Sequence, residues 1–287
     1  MKLIHCYKEL ISVQSPPSFL ETRTSTDIVP SAHIEIKDHS LKKEDYVSED
    51  KIYFNKKGIS LNCISNKNLI EVFPKNNVDK ETLLYHTLQI PMGCLFAQRD
   101  KIVLHASAVE KKGKSLIFAG NPGIGKSTLV LKLVENGWNF ITEDICVIDR
   151  TVSFSCRTSF PIIKLSDEAS QAHESILEKT IVKKDALLRS TYKLRIGLSK
   201  TNRIEGIFFL DWGSDLKVYK PNESTSLRLL LNFLIPSFQT KTHNNQLRIY
   251  EDLTLLNESI ESRILERPKI INQESFNKTI DLINSFI

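Results

Sequence analysis

The stretch that most constrains this chain is Gly120-Asn121-Pro122-Gly123-Ile124-Gly125-Lys126-Ser127-Thr128, which fits G-x-x-x-x-G-K-[ST]. Such a loop works only where a strand delivers it and a helix leaves it. Ser115-Leu116-Ile117-Phe118-Ala119 is a short apolar run of strand type. Leu129 to Asn136 carries helical spacing, and Gly137 is placed to stop it. Glycines at 120, 123 and 125 let backbone N–H groups crowd around an anion with no Cβ in the way. The helix that follows aims the positive end of its dipole at the same point. Lys126 is then expected to reach the β- and γ-phosphates of a nucleotide, and Ser127 to hold Mg²⁺.

The chain has 287 residues, room for one large domain or two modest ones. A net charge of +5 suits an acidic ligand but is too weak to argue for nucleic acid. The pairs Lys42-Lys43, Lys111-Lys112 and Lys183-Lys184 read as solvated faces. Cys6, Cys63, Cys94, Cys146 and Cys156 form no C-x-x-C, and five is an odd number, so reduced thiols in the cytosol are expected. Met1 to Lys8 lacks a signal peptide's apolar core, and Leu229 to Ile235 is too short to span a bilayer. The expectation is a cytoplasmic protein with no membrane and no nucleic-acid partner; a homo-oligomer is compatible with it.

Residues 1–95 read as a small strand-rich region, with β-type segments at Ala32 to Lys37 and Lys51 to Phe54 and a turn signal at Lys57-Gly58. Pro16-Pro17 and the residues around Ser25 mark an irregular loop, and His33 and His39 read as surface residues. Asp79 to Arg99 keeps helical spacing, with Pro91 placed to kink or split it. Residues 96–287 form the expected nucleotide-binding domain. Within it, Lys101 to Glu110 and the strand before the P-loop flank Lys112-Gly113 and predict a hairpin. In that register facing residue numbers sum to 225, so His105 falls opposite Gly120, beside the loop.

Trp138 to Thr142 reads as a second strand, parallel to the first by the right-handed crossover rule, and it ends in Glu143-Asp144. Ligands in such sheets sit at the carboxyl ends of the strands. Two carboxylates there suit Mg²⁺ binding and base work on a hydroxyl. Further on, Glu168 to Arg189 reads as partly helical. Ser190 to Ile196 is a basic loop or strand in which Lys193 and Arg195 are candidate phosphate contacts. Gly206 to Asp211 is a buried-strand pattern, and Asp211 is a rival metal site. Ser226 to Phe238 reads as a helix ending near Pro236. Residues 257–287 read as two apolar-spaced elements packed on the sheet, broken at Arg267-Pro268-Lys269.

Leu104-His105-Ala106-Ser107-Ala108-Val109, the P-loop and Thr142-Glu143-Asp144, in that order and spacing, resemble the HPr kinase/phosphorylase-like family. The resemblance covers about residues 95–240. It implies an α/β fold of the phosphoenolpyruvate-carboxykinase/HPr-kinase-like P-loop type, with ATP and Mg²⁺ as cofactors. It implies that His105 is an active-site histidine, and that Lys126 and Ser127 are phosphate and metal contacts. Glu143-Asp144 would match the family's Asp-Asp pair, one carboxylate as base and the other holding metal with Ser127; the expected metal holders are Ser127 and Asp144. The pair begins with Glu rather than Asp, and Ser155 to Leu165 lacks the later metal-site signature of HPr kinase. The chain is more similar to HPr-kinase-related proteins found with peptide-modifying enzymes, including lasso-peptide precursor kinases.

The resemblance therefore implies a kinase that phosphorylates a serine of a peptide or protein. Two alternatives stand beside it, a nucleotide-hydrolysing switch and a non-catalytic ATP-binding module in a peptide-modification assembly. No Asn-Lys-x-Asp guanine signature is present, since Asn66-Lys67-Asn68-Leu69 fails at its last position.

Overall fold

The computed structural model describes residues 2–14, 18, 22–24, 30–37, 52–56, 61–66, 68–74, 78–150, 153–171, 173–180, 182, 189–196, 198–199, 202–235, 243–269 and 273–287. Pro16-Pro17, the stretch around Ser25, His39, Lys57-Gly58 and Pro236 to Phe238 lie outside them. The chain forms two compact units: residues 1–101 with 162–195, and residues 102–161 with 196–287. The segment 162–195 thus groups with the first unit, which a contiguous division at residue 95 does not provide for.

The first unit opens with β1 (Lys2–Cys6), β2 (Glu9–Val13), β3 (Thr22–Thr24), β4 (Ala32–Ile36), β5 (Ile52–Lys56), β6 (Leu61–Asn66) and β7 (Leu69–Pro74). They form one sheet in the order β3-β1-β2-β4-β7-β6-β5, parallel at β2–β4 and β4–β7. Tyr7 (φ 53°) and Lys8 (φ 61°) turn the first hairpin in the left-handed conformation that a two-residue type I′ turn demands. His33 is tied to Ser12 (Nδ1···Oγ 2.7 Å). The segment from Asp79 to Arg99 is split into α1 (Lys80–Thr87) and α2 (Ile90–Gln98). Asp79 caps α1 by accepting from the Thr82 N–H (2.8 Å), and Pro91 sits in the first turn of α2, where its missing N–H costs nothing.

The second unit begins with β8 (Ile102–Leu104), β9 (Ala106–Lys111), β10 (Lys114–Ala119), α3 (Lys126–Glu135), β11 (Asn139–Thr142), β12 (Cys146–Arg150) and β13 (Phe154–Cys156). The chain then returns to the first unit for β14 (Ile162–Leu165), α4 (Asp167–Gln171), β15 (Leu177–Lys179) and β16 (Ser190–Leu194), a small sheet ordered β14-β16-β15. It comes back for β17 (Arg203–Trp212), β18 (Lys217–Tyr219), α5 (Glu223–Asn232), α6 (His243–Ser259), β19 (Glu261–Arg267) and α7 (Gln273–Asn284).

The main sheet runs β11-β9-β10-β17-β13-β12-β8, and β19 pairs in parallel with β17. The hairpin has the predicted register, Lys114 facing Lys111 and Ala119 facing Ala106. β11 does run parallel to β10, but β9 lies between them, antiparallel to both. The start of β9 therefore lies at the carboxyl ends of β10 and β11. α3 closes in a Schellman motif: Trp138 N–H donates to Leu133 O and Gly137 N–H to Val134 O (both 3.1 Å), with Gly137 at φ 81°. β19 differs from expectation. It is a strand inside the sheet, and its charged residues Arg263, Glu266 and Arg267 hide the alternation that marks a strand.

Core residues such as Ile117, Ile141, Ile207, Phe209, Leu230 and Leu253 are sealed between sheet and helices. Glu110, near the end of β9, is buried and its carboxylate is satisfied by three donors: Gly113 N–H (2.5 Å), Asn139 Nδ2 (2.7 Å) and Ser199 Oγ (3.0 Å). Cys6, Cys94, Cys146 and Cys156 are buried free thiols, and no described helix is long and apolar enough to cross a membrane.

Candidate active site

The site is built at the carboxyl edge of β10 and β11. Gly120 leaves β10 where a Cβ would lie 2.9 Å from Ile124 Cγ2 and 3.2 Å from the Leu210 carbonyl oxygen, so only glycine fits. Asn121, Pro122 and Gly123 continue the turn, and Gly123 and Gly125 have φ of 83° and 88°. Gly125 is the N-cap of α3, whose first residues are Lys126, Ser127 and Thr128, so the helix begins with its open N–H groups at the loop. Lys126 is only 6% exposed, and its Nζ donates to the carbonyls of Gly120 (2.6 Å) and Asn121 (3.4 Å). The Lys126 ammonium is thus held inside the loop by the loop's own carbonyls.

Glu143 and Asp144 part company in the turn after β11. Ile145 N–H donates to Glu143 O (2.8 Å), and Asp144 between them has φ 65°, the strained form of a three-residue turn. The turn sends the Glu143 side chain inward, 3% exposed, where its Oε1 accepts from Ser127 Oγ at 2.5 Å. Asp144 instead presents its backbone carbonyl to His105, 3.0 Å from Nδ1. A carbonyl can only accept, so Nδ1 carries the hydrogen, and in the neutral ring Nε2 carries the lone pair.

His105 sits at the break between β8 and β9, where the chain stops pairing with β12 and starts pairing with β10 and β11. Its own N–H donates to Phe233 O, just past α5 (2.7 Å). Backbone and ring are thus both fixed. The structure brings together the P-loop, His105, Glu143 and Asp144. Asp211 is the last but one residue of β17, at the same edge, but is exposed, and its Oδ1 accepts from Trp212 N–H (2.8 Å). Lys193 and Arg195 belong to the first unit, where exposed Arg195 lies 3.9 Å from Glu178.

Arg267 escaped the sequence reading, which treated it only as part of a break. It ends β19, is 2% exposed, and reaches beneath the P-loop to donate from Nη2 to Ile124 O (2.5 Å). Its position one residue before a proline gave no functional signal; strand pairing with Trp212 places it.

The donor set fits a magnesium nucleotide. No cluster of three metal-binding side chains exists among the described residues, but Mg²⁺ at phosphates needs only a hydroxyl and one or two carboxylates from the protein. Ser127 and Glu143 already share one hydrogen bond and offer that pair.

No family model matches the chain, and no curated protein matches it in sequence. Among solved structures it is similar to the Hpr(Ser) kinase/phosphatase from Coxiella burnetii, at 9% identity, over 64% of this chain and 88% of that one, with a TM-score of 0.32. A TM-score that low lends no weight to function, which rests on this chain's own geometry.

Proposed function

We propose that the chain is an ATP- and Mg²⁺-dependent kinase that phosphorylates a serine hydroxyl of a peptide or protein. The acceptor class its resemblance implies is a ribosomally made precursor peptide of the lasso type. One observation carries the reading: a P-loop whose metal serine is bonded to a buried glutamate lies at the same sheet edge as a histidine held in one tautomer.

Bound Mg²⁺ would neutralise phosphate charge and orient the polyphosphate. Lys126 stabilises charge on the transferring group, and the loop N–H groups and α3 hold the phosphates in line. Ser127 and Glu143 would hold the metal, in place of the Ser127 and Asp144 expected from the sequence. That leaves the Asp144 carboxylate to take the proton of the acceptor hydroxyl. The serine oxygen then forms its bond to the γ-phosphorus as the bond to the bridging oxygen breaks, and ADP leaves with that electron pair. With both ring nitrogens protonated, His105 keeps its Nδ1 bond to Asp144 O and orients the transferring group by donating from Nε2 to a phosphoryl oxygen.

The test is incubation with ATP, Mg²⁺ and the peptides encoded beside the gene, read by mass. Addition of one phosphate mass to a serine supports the kinase. Release of inorganic phosphate with every peptide unchanged supports a hydrolysing switch, and binding without turnover supports the non-catalytic module.

A further inference from the structure

Lys126 is not the only cation of the P-loop. Arg267 lies behind the loop, its guanidinium 5.0 Å over the Trp212 ring and its Nη2 on the Ile124 carbonyl. The fit is close: a Cβ on Gly125 would come 2.7 Å from that Nη2. Among the described residues its Nε has no hydrogen-bond partner, and no charged group offsets the effect of burial on it. Burial pulls its pKa down to about 10, so it stays charged at neutral pH. A buried cation held by only a carbonyl and an aromatic face costs stability, and perturbed charged groups of this kind cluster at functional sites.

We propose that Arg267 is a positioning residue of the phosphate site, which braces the P-loop through Ile124 and whose charge is balanced by the polyphosphate of the bound nucleotide. The proposal rests on the nucleotide reading of the loop but not on phosphate transfer.

Two variants separate bracing from charge. R267M removes both, and R267Q keeps a donor for Ile124 without the charge. Binding of tripolyphosphate, ADP and AMP with Mg²⁺ is measured by calorimetry beside the ligand-free melting temperature. R267M should weaken tripolyphosphate by about 10–100-fold and AMP by much less. Its ligand-free melting temperature should equal or exceed the parent's, because a buried charge has become apolar. R267Q should show the same ordering among ligands with a smaller loss.

Parental affinities in both variants would overturn the proposal. So would a lowered melting temperature with affinity per folded molecule unchanged, or failure of both variants to fold, each of which marks Arg267 as a structural cation. A parent chain that binds none of the three ligands would instead overturn the nucleotide reading itself, and this inference with it.

Discussion

At the scale of residues, the site separates groups that look equivalent in sequence. Lys126→Ala should lower turnover by at least about 10²-fold with the melting temperature little changed, since it removes charge stabilisation at the phosphates. Single-turnover kinetics beside a thermal melt checks both halves. Glu143→Gln should raise the Mg²⁺ concentration needed for half-maximal rate, whereas Asp144→Asn should lower the rate at saturating Mg²⁺. Asp211→Asn should do less than either; a larger loss at Asp211 would move the metal. His105→Ala should cut turnover by about 10²–10⁴-fold with nucleotide affinity much less affected. His105→Gln, which cannot titrate, should recover much of that rate if the ring only orients, and none if it transfers a proton. The adjacency of Glu143 and Asp144 was legible in the sequence, but their divergence was not. It depends on a left-handed aspartate at φ 65°, which no glycine or asparagine announces.

At the scale of elements, the β9–β10 hairpin does most to place the site, and it was also the most readable. A two-residue turn fixes register, so a sum over residue numbers found the neighbourhood of His105 from the sequence alone. The insertion of β9 between β10 and β11 was less legible, because a crossover rule gives strand direction and not which strand intervenes. β19 escaped for another reason: Arg263 lies over the Phe286 ring at 4.3 Å, so a charged residue packs where the pattern leads one to expect an apolar one. Glu110 holds the hairpin in place from inside. Glu110→Ala should cost about 3 kcal/mol in urea unfolding, because three donors lose their acceptor, and Glu110→Gln about half of that. Both should turn over nucleotide normally once folded, in contrast to the site variants.

At the scale of the whole molecule, the α/β P-loop unit and a strand-rich N-terminal region were both visible, but the return of 162–195 to the first unit was not. Nothing in local spacing records which unit a segment joins. Ile162 and Lys193 face each other across β14 and β16, so the segment leaves and returns at neighbouring points. Replacing 162–195 by a short glycine linker should therefore leave the second unit able to bind nucleotide, measured as protection from proteolysis by ADP and Mg²⁺. Loss of that protection would mean that the segment is needed for the second unit to fold. The double passage of the chain also imposes an order of manufacture. A ribosome that has released residues 1–161 has delivered the P-loop but has finished neither unit: the first still lacks its small sheet, and the second lacks β17, the strand beside β10. Both must wait half-built while the rest of the message is read, with sheet edges open to other chains. A nascent-chain chaperone should therefore be found bound longest on chains in which residue 161 has emerged and β17, ending at Trp212, has not.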